Sequence, residues 1–332
     1  MRTMEITGHS FDSVRLVERP VPQPAAGEVQ IRMTAATLNY RDLLMVTGAS
    51  QSGRKENCIP LSCGSGVVSS LGPGTTRFKL GDRVCPTFFL DWISGPRTAP
   101  GMGLSLGGSV DGVAREYACY PEDYLVKVPD AIGDMEAATL PCAGVTVWNA
   151  LFVLCATKPG DVVLLQGTGG VSVVGLQLAK AAGATVIITS SSNAKLERAR
   201  ALGADYFINY REVPEWGLRA RQMTGGRGVD IVLDVVGAEG MAQTQAALKP
   251  GGTIAAIGLL AGTPGRMADP RPAGMKAVRV GSREHFEDLN RAIVANGIRP
   301  VVDRVYPLEK LPDAMQALKS GTVFGKVGIE FQ

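Results

Sequence analysis

The stretch Val162-Val163-Leu164-Leu165-Gln166-Gly167-Thr168-Gly169-Gly170-Val171-Ser172 decides the fold of this chain. Its four leading apolar residues predict a buried strand, and the glycines then break the strand into a turn that opens a helix over residues 171–182. Glycine lets the backbone turn tightly and approach a pyrophosphate, whose charge is stabilised at the positive N-terminal end of the helix. Gly167, Thr168, Gly169, Gly170 and Val171 are therefore candidate contacts to a dinucleotide. A strand–turn–helix corner that binds nothing is the bland alternative. Ser172 departs from the usual G-x-G-x-x-G, so strand and helix must tolerate a hydroxymethyl group where glycine normally allows closest packing.

Working outward, apolar runs alternate with helical stretches: 184–190, 193–202, 205–209, 229–235 and 253–258, with helix candidates at 213–223 and 240–248. That alternation signals βαβ units and a parallel sheet, here expected to have six strands in doubly wound order. Residues 261–272, rich in Pro and Gly, read as an exposed crossing loop. Upstream, the short β-like runs 28–34, 66–71 and 82–85 suit a compact β unit ending near Pro129. Downstream, 278–281, the helix candidates 285–296 and 308–320 and a final strand 326–331 are too few for a domain, and are expected to pack back onto the β unit. The expected class is α/β: a β-rich domain over 1–129, a Rossmann-type doubly wound domain over 130–265, and a return to the first domain over 266–332.

Composition bounds what such a chain does. At 332 residues two domains are the natural expectation. With 45% hydrophobic and 20% charged residues and a net charge of +3, it is an ordinary globular protein with no charge signature of a nucleic-acid partner. The start lacks a signal-peptide core and no uninterrupted apolar run reaches the ~18 residues of a membrane helix, so a cytoplasmic location without membrane association is expected. Six scattered cysteines without a CxxC pair signal neither a disulfide framework nor a zinc knuckle, and two histidines exclude chemistry that needs several.

Cofactor choice is read at the end of the second strand. NAD-preferring domains place an acid there to bind the ribose 2′-hydroxyl. This chain has Thr189-Ser190-Ser191-Ser192-Asn193 followed by Lys195, hydroxyls and a cation that suit a 2′-phosphate, so NADPH is favoured over NADH. The alternative is that residues 191–193 merely cap the next helix and Lys195 is solvated; capping and phosphate contact are compatible.

With these residues in view, the chain resembles, end to end, the medium-chain dehydrogenase/reductase superfamily, and specifically its zinc-free, quinone-oxidoreductase-like branch. The resemblance is carried by Asn39-Tyr40-Arg41-Asp42, Gly81-Asp82-Arg83-Val84, the run 137–148, the glycine loop, Leu202-Gly203-Ala204-Asp205, Ile208-Asn209-Tyr210 and Gly325-Lys326-Val327. It implies a GroES-like catalytic domain with a Rossmann domain inserted into it. Zinc-dependent relatives carry Cys where this chain has Asn39, a His-Glu pair where it has Ser62-Cys63, and a further Cys that matches Cys142. Residues 90–112 take the place of their four-cysteine lobe. One thiol, one amide and one hydroxyl do not make a zinc site, so no metal is expected. Cys142 is then a core residue or a substrate-facing thiol. The resemblance further implies that Thr146 lies near the nicotinamide amide, that Tyr210 covers the adenosine phosphate and that Lys326 belongs to the cofactor site, against packing, surface aromatic and solvated lysine as bland readings. Gly258, ending the fifth strand, joins the cofactor candidates.

Reduction of a simple ketone develops charge on oxygen that a Lewis acid stabilises by several kcal/mol. Quinones and enones delocalise that charge themselves, so positioning and a few hydrogen-bond donors suffice. A small conjugated carbonyl acceptor is therefore the expected substrate, with Asn39 orienting nicotinamide ribose or substrate oxygen and Tyr40 the candidate proton donor; a satisfied turn residue and plain packing compete. A metal-free alcohol dehydrogenase and a non-catalytic NADPH-binding protein are the rival readings. A homodimer is expected, because the strand 253–258 runs into apolar Leu259-Leu260 at what would be a sheet edge.

Overall fold

In the computed structural model, residues 1–50, 53–97, 103–258 and 274–331 are described. They form two compact units, Met1–Val145 with Gly281–Gln332, and Thr146–Val280. The divisions fall later than the 129 and 265 read from sequence. Segment 130–145 stays with the first unit because it is tied down there: Thr37 Oγ1 donates to the Ala138 carbonyl and Ser65 Oγ to the Asp134 carbonyl, both at 2.8 Å.

The first unit opens with an antiparallel ribbon of β1 (Arg2–Ile6) and β2 (Val14–Glu18). Its main sheet follows with β3 (Glu28–Thr37), β4 (Cys63–Leu71), β5 (Arg83–Pro86), β6 (Tyr117–Pro121) and β7 (Leu125–Lys127). Helix α1 (Tyr40–Thr47) leaves the end of β3, and α2 (Asp134–Ala137) leads through a π-turn, Leu140–Gly144, into α3 (Val145–Trp148). The chain returns to this unit with its last elements, the strands Val302–Pro307 and Lys326–Glu330 and the helices Arg283–Ala295 and Leu311–Lys319. The terminal strand pairs antiparallel with β3, which places the start of the one beside the end of the other. Val29, Ile31 and Met33 of β3 are fully buried with Ile6, Ile59, Leu61 and Ile329 in the core of this unit.

The second unit holds β8 (Val162–Leu165), α4 (Gly170–Ala181), β9 (Thr185–Ser190), α5 (Asn193–Ala201), β10 (Tyr206–Asn209), α6 (Trp216–Met223), β11 (Val229–Asp234), α7 (Met241–Ala247), β12 (Leu248–Ala256) and β13 (Met275–Ala277). Its six strands are all parallel, in the order β10-β9-β8-β11-β12-β13. Strand order reverses between β8 and β11, the place where such sheets bind dinucleotides. The sheet has the six strands expected, but the sixth lies next to the segment 278–281 that the sequence reading gives to the returning part of the chain: β13 pairs with β12, and the Val278 amide continues the pairing onto the Ala256 carbonyl at 2.9 Å. The β12 edge from which a homodimer is expected is thus covered by the chain itself, and Leu259, Leu260 and the crossing loop 261–272 lie outside the described residues.

Asp230 anchors this sheet. Its carboxylate accepts from Arg227 at 2.9 and 2.7 Å, from the Val162 amide at 2.7 Å and from Lys249. Burial alone would raise its pKa; the two cations and the amide overcome that and hold it well below the usual carboxylate range. A carboxyl depressed in the folded state stabilises above its unfolded pKa of about 4, and that contribution is lost as pH falls. Asp230→Asn should therefore lower stability by about 1–3 kcal/mol at neutral pH, with the difference from wild type shrinking below about pH 4 in urea titrations. A pH-independent difference would mean that packing, not charge, is what Asp230 supplies.

The helical run Asp134–Leu154 has the length and apolarity of a membrane span, although its first turn carries Asp134 and Glu136. Of its most apolar 18-residue window 72% is buried inside the protein, as in a core helix.

Candidate active site

Each unit carries one cluster built from predicted site residues. In the second unit β8 delivers Gln166 to the mouth of the loop, where its amide donates to Thr244 Oγ1 at 2.7 Å and accepts from the Val235 and Val236 amides at 3.1 and 3.3 Å. This ties the ends of β8 and β11 together. Gly167 turns with φ +73°, a conformation L side chains avoid, and its amide donates to Thr189 Oγ1 at 3.2 Å. A Cβ on Gly167 or Gly169 would meet no atom within 4 Å, so the loop presents bare backbone to open space at the N-terminus of α4. That fits a pyrophosphate.

The departure at Ser172 resolves simply. Its hydroxyl folds back to donate to the Gln166 carbonyl at 2.6 Å and is buried. Gly175, one turn further along α4, takes over close packing: a Cβ there would lie 3.2–3.3 Å from Leu233 and Leu165. Gly258 is likewise required by crowding, since a Cβ would sit 2.2 Å from the Val235 carbonyl oxygen.

At the end of β9 the serines divide their work. Ser190, 2% exposed, lies 3.4 Å from Thr168 Oγ1, accepts from the Ser192 amide at 3.3 Å and receives the Tyr210 amide on its carbonyl at 3.0 Å. Ser192 is the N-cap of α5, accepting from the Lys195 amide at 3.5 Å. The capping reading is therefore correct for Ser192, whereas the half-buried Ser191 makes no cap. No carboxylate stands between Ser190 and Lys195. Tyr210, 41% exposed, begins the turn beside Ser190. Thr146, at the start of the unit, is buried.

In the first unit the sequence places a second cluster. Asn39, two residues beyond the end of β3, is the N-cap position of α1, and its backbone amide donates to Asp42 at 2.7 Å. Its side-chain nitrogen donates to Ser62 Oγ at 3.3 Å and Cys63 Sγ at 3.1 Å, and its oxygen accepts from Lys326 Nζ at 2.6 Å. Lys326 also donates to the Leu38 carbonyl. At 5% exposure it is no solvated lysine. Ser62 and Cys63 are aimed by Leu61, which is fully buried in the left-handed region at φ 69°; Gly112 packs so closely that a Cβ would lie 2.0 Å from the Leu61 carbonyl oxygen. Such a residue costs about 1–3 kcal/mol and is held by its surroundings.

Cys63 at the start of β4 and Cys142 in the π-turn belong to elements that pack against each other. Burial opposes a thiolate on Cys63, but Cys142, the Lys326 ammonium and the Asn39 amide outweigh it and pull this thiol down. The Cys142 thiol is pushed up, by neighbouring Cys63 and by burial. Asp42 is raised by burial despite Arg41 and the Asn39 amide. Tyr40, by contrast, is 62% exposed on the first turn of α1. Sequence reading missed Cys63, Gln166 and Gly175 as site-forming residues; a polar residue closing an apolar strand was the available signal for Gln166.

Residues 25–130 match the family described as the alcohol dehydrogenase GroES-like domain, and residues 170–294 the zinc-binding dehydrogenase family. A zinc-type alcohol dehydrogenase-like protein of Schizosaccharomyces pombe is 40% identical over 97% of this chain and 96% of its own length. The chain belongs to the medium-chain dehydrogenase/reductase superfamily. A solved structure of a putative alcohol dehydrogenase from Sinorhizobium meliloti is 40% identical, covers 99% of both chains and superposes with a TM-score of 0.90. A 2-haloacrylate reductase of Burkholderia is 32% identical over 76% of this chain and 70% of its own length. A mycobacterial protein complexed with NADPH is 29% identical, covers 99% of this chain and all of its own, and gives a TM-score of 0.83. Both expected domain types are present, and this dehydrogenase/reductase is an oxidoreductase of the NAD(P)-binding kind. The zinc this superfamily commonly holds does not fit here. Asn39 turns its N–H groups, not its oxygen, toward Ser62 and Cys63, and the Lys326 ammonium stands where it would repel a divalent cation.

Proposed function

We propose that this enzyme is NADPH-dependent, works without zinc and passes hydride to a carbonyl-conjugated acceptor, a quinone or an enone. The observation that carries the reading is Lys326, a buried ammonium oriented by the Leu38 carbonyl and the Asn39 amide oxygen. A fixed positive charge in a dry site is a preorganised electrostatic stabiliser for oxygen that gains charge. It is weaker than a Lewis acid, which suits acceptors that spread the charge over several atoms. Bound NADPH supplies the hydride. The loop Gly167–Val171 would hold its pyrophosphate, Ser191 and Lys195 its 2′-phosphate with Ser190 bracing the turn, while Tyr210 would serve the adenosine phosphate, Gly258 would let the backbone come close, and Thr146 would serve the nicotinamide amide. Asn39 positions Lys326, and the exposed Tyr40 phenol supplies a proton to the reduced acceptor.

The test is a panel of quinones, enones, simple ketones and alcohols assayed by NADPH absorbance with and without chelator. Chelator-insensitive oxidation of NADPH by conjugated acceptors, at least about tenfold faster in kcat/KM than by simple ketones, is expected. Chelator-sensitive turnover, alcohol oxidation as the dominant activity, or NADPH binding without turnover would each reject the proposal.

A further inference from the structure

The backbone pairing of β8 with β11 joins Val163 to Ile231, Leu164 to Val232 and Leu165 to Leu233, and ends there. Beyond it the two chains part, Gln166 leading into the glycine loop and Asp234 into the turn 235–237. Strand order reverses between these two strands, so the spacing of their carboxyl ends sets the mouth of the crevice. No ladder of backbone bonds holds that spacing. Three side chains do.

Each bond among them has a fixed direction. Gln166 Oε1 accepts from the Val235 and Val236 amides at 3.1 and 3.3 Å, which leaves its Nε2 to donate to Thr244 Oγ1 at 2.7 Å. The Thr244 hydroxyl has one hydrogen, and gives it to Asp234 Oδ2 at 3.3 Å. Asp234 Oδ1 closes the ring by accepting from the Val236 and Gly237 amides at 3.1 and 2.7 Å. All three side chains are buried, and the Ser172 hydroxyl fixes the Gln166 carbonyl from the start of α4 at 2.6 Å. The amides of the turn are thus drawn inward, and a trans peptide points the preceding carbonyl the other way. The Val235 carbonyl is set so close to Gly258 that a Cβ there would lie 2.2 Å from it.

Packing alone does not call for this arrangement. The Asp234 carboxylate is fully buried, and its partners among the described residues are two amides and a hydroxyl rather than a cation. Such a group is costly where apolar side chains would fill the same space. What the ring supplies is orientation on both sides of the crevice at once.

We infer that Gln166, Thr244 and Asp234 are positioning residues for the dinucleotide: they hold the glycine loop and the turn 235–237 in register before the nucleotide arrives, and so set its affinity. The inference rests on the reading of the glycine loop as the dinucleotide site, and not on the choice of NADPH or of acceptor.

The test uses four variants of the full-length protein. Thr244→Val keeps the shape and removes the hydroxyl, Thr244→Ser keeps the hydroxyl, and Gln166→Met keeps the length and removes the amide. Thr224→Val is the control for lost stability, since the Thr224 hydroxyl joins the Arg221 carbonyl and the Gly228 amide, both at 2.7 Å, at the opposite end of β11. Dissociation constants for NADPH and NADH, and hydrogen exchange over residues 235–240 without nucleotide, are measured below the melting onset of each variant. Thr244→Val and Gln166→Met should weaken both nucleotides by a common factor of about fivefold or more, with the turn amides exchanging about tenfold faster or more. Thr244→Ser should regain most of that affinity, and Thr224→Val should melt earlier without changing either readout. The ratio of the two wild-type affinities tests the proposed NADPH preference; the common factor in the variants tests the ring. Wild-type affinities in folded Thr244→Val and Gln166→Met would overturn the inference, as would a loss that falls on NADPH alone. If neither variant folds, the wild type decides: amides of 235–237 exchanging as fast as those of an unprotected loop are then the negative result.

Discussion

Lys326→Met should lower kcat/KM for the acceptor about a hundredfold or more while the protein stays folded. Removing one preorganised donor from the charge-stabilising part of an active site typically costs about 10²–10³ in rate. The substitution keeps an unbranched stem of similar bulk, so packing changes little. It does leave the Leu38 carbonyl and the Asn39 amide oxygen without their donor, a stability cost of about 1–3 kcal/mol that thermal melts will register. Lys326→Arg keeps the charge but not the compact head that fits between those two oxygens, and should recover only part of the rate. Asn39→Asp is informative in the other direction: it replaces the N–H donors facing Ser62 and Cys63 with a second acceptor and pairs Lys326 with a full negative charge, so activity should fall although the ammonium remains. Steady-state rates with a quinone as acceptor, for folded variants, check all three. A Lys326→Met enzyme within about threefold of wild type would show that the lysine only braces the end of β3.

That lysine also shows where sequence reasoning stops. The strand, glycine turn and helix from Val162 to Ala181 were legible because every cue is local: an apolar run, residues that permit positive φ, and helical periodicity. The alternation that follows fixed the doubly wound order for the same reason. Lys326 at the start of a strand carries no local mark of burial; its environment comes from Leu38 and Asn39, more than 280 residues earlier in the chain. Cys63 and Cys142 belong to two elements, β4 and the π-turn, that pack together, and no motif spacing announces it. Strand β13, three residues long, is too short for alternation to be seen, and pairing with β12 is what makes it a strand. The departure at Ser172 is resolved only in three dimensions: the closest helix–sheet approach is at Gly175, and Ser172 spends its hydroxyl on the Gln166 carbonyl. Such reassignments need three-dimensional distances.

Cofactor preference is the second large expected effect, and the proposed reading rests it on two side chains. Of the serines that end β9, Ser190 is buried and engaged with Thr168 and the Ser192 amide, and Ser192 caps α5. Ser191 is thus the serine left to face a 2′-phosphate, with Lys195 about one turn of chain further on at the helix start, where the positive end of α5 adds to the attraction. Hydrogen bonds to charged groups contribute roughly 1.5–3 kcal/mol in favourable settings and an exposed cation less, so NADPH should bind about ten- to a thousandfold more tightly than NADH. Lys195→Ala should weaken NADPH much more than NADH. Ser191→Asp places a carboxylate against the phosphate and within reach of a free ribose 2′-hydroxyl, so it should narrow or reverse the preference. Ser192→Ala is the control, since losing the cap costs about 1 kcal/mol of stability without selecting between the cofactors. Dissociation constants of both nucleotides for wild type and the three variants, measured at fixed ionic strength, decide the matter. Equal affinities in the wild type, or equal losses for both nucleotides in Lys195→Ala, would reduce the serine-rich turn to a helix cap and leave the cofactor preference to other residues.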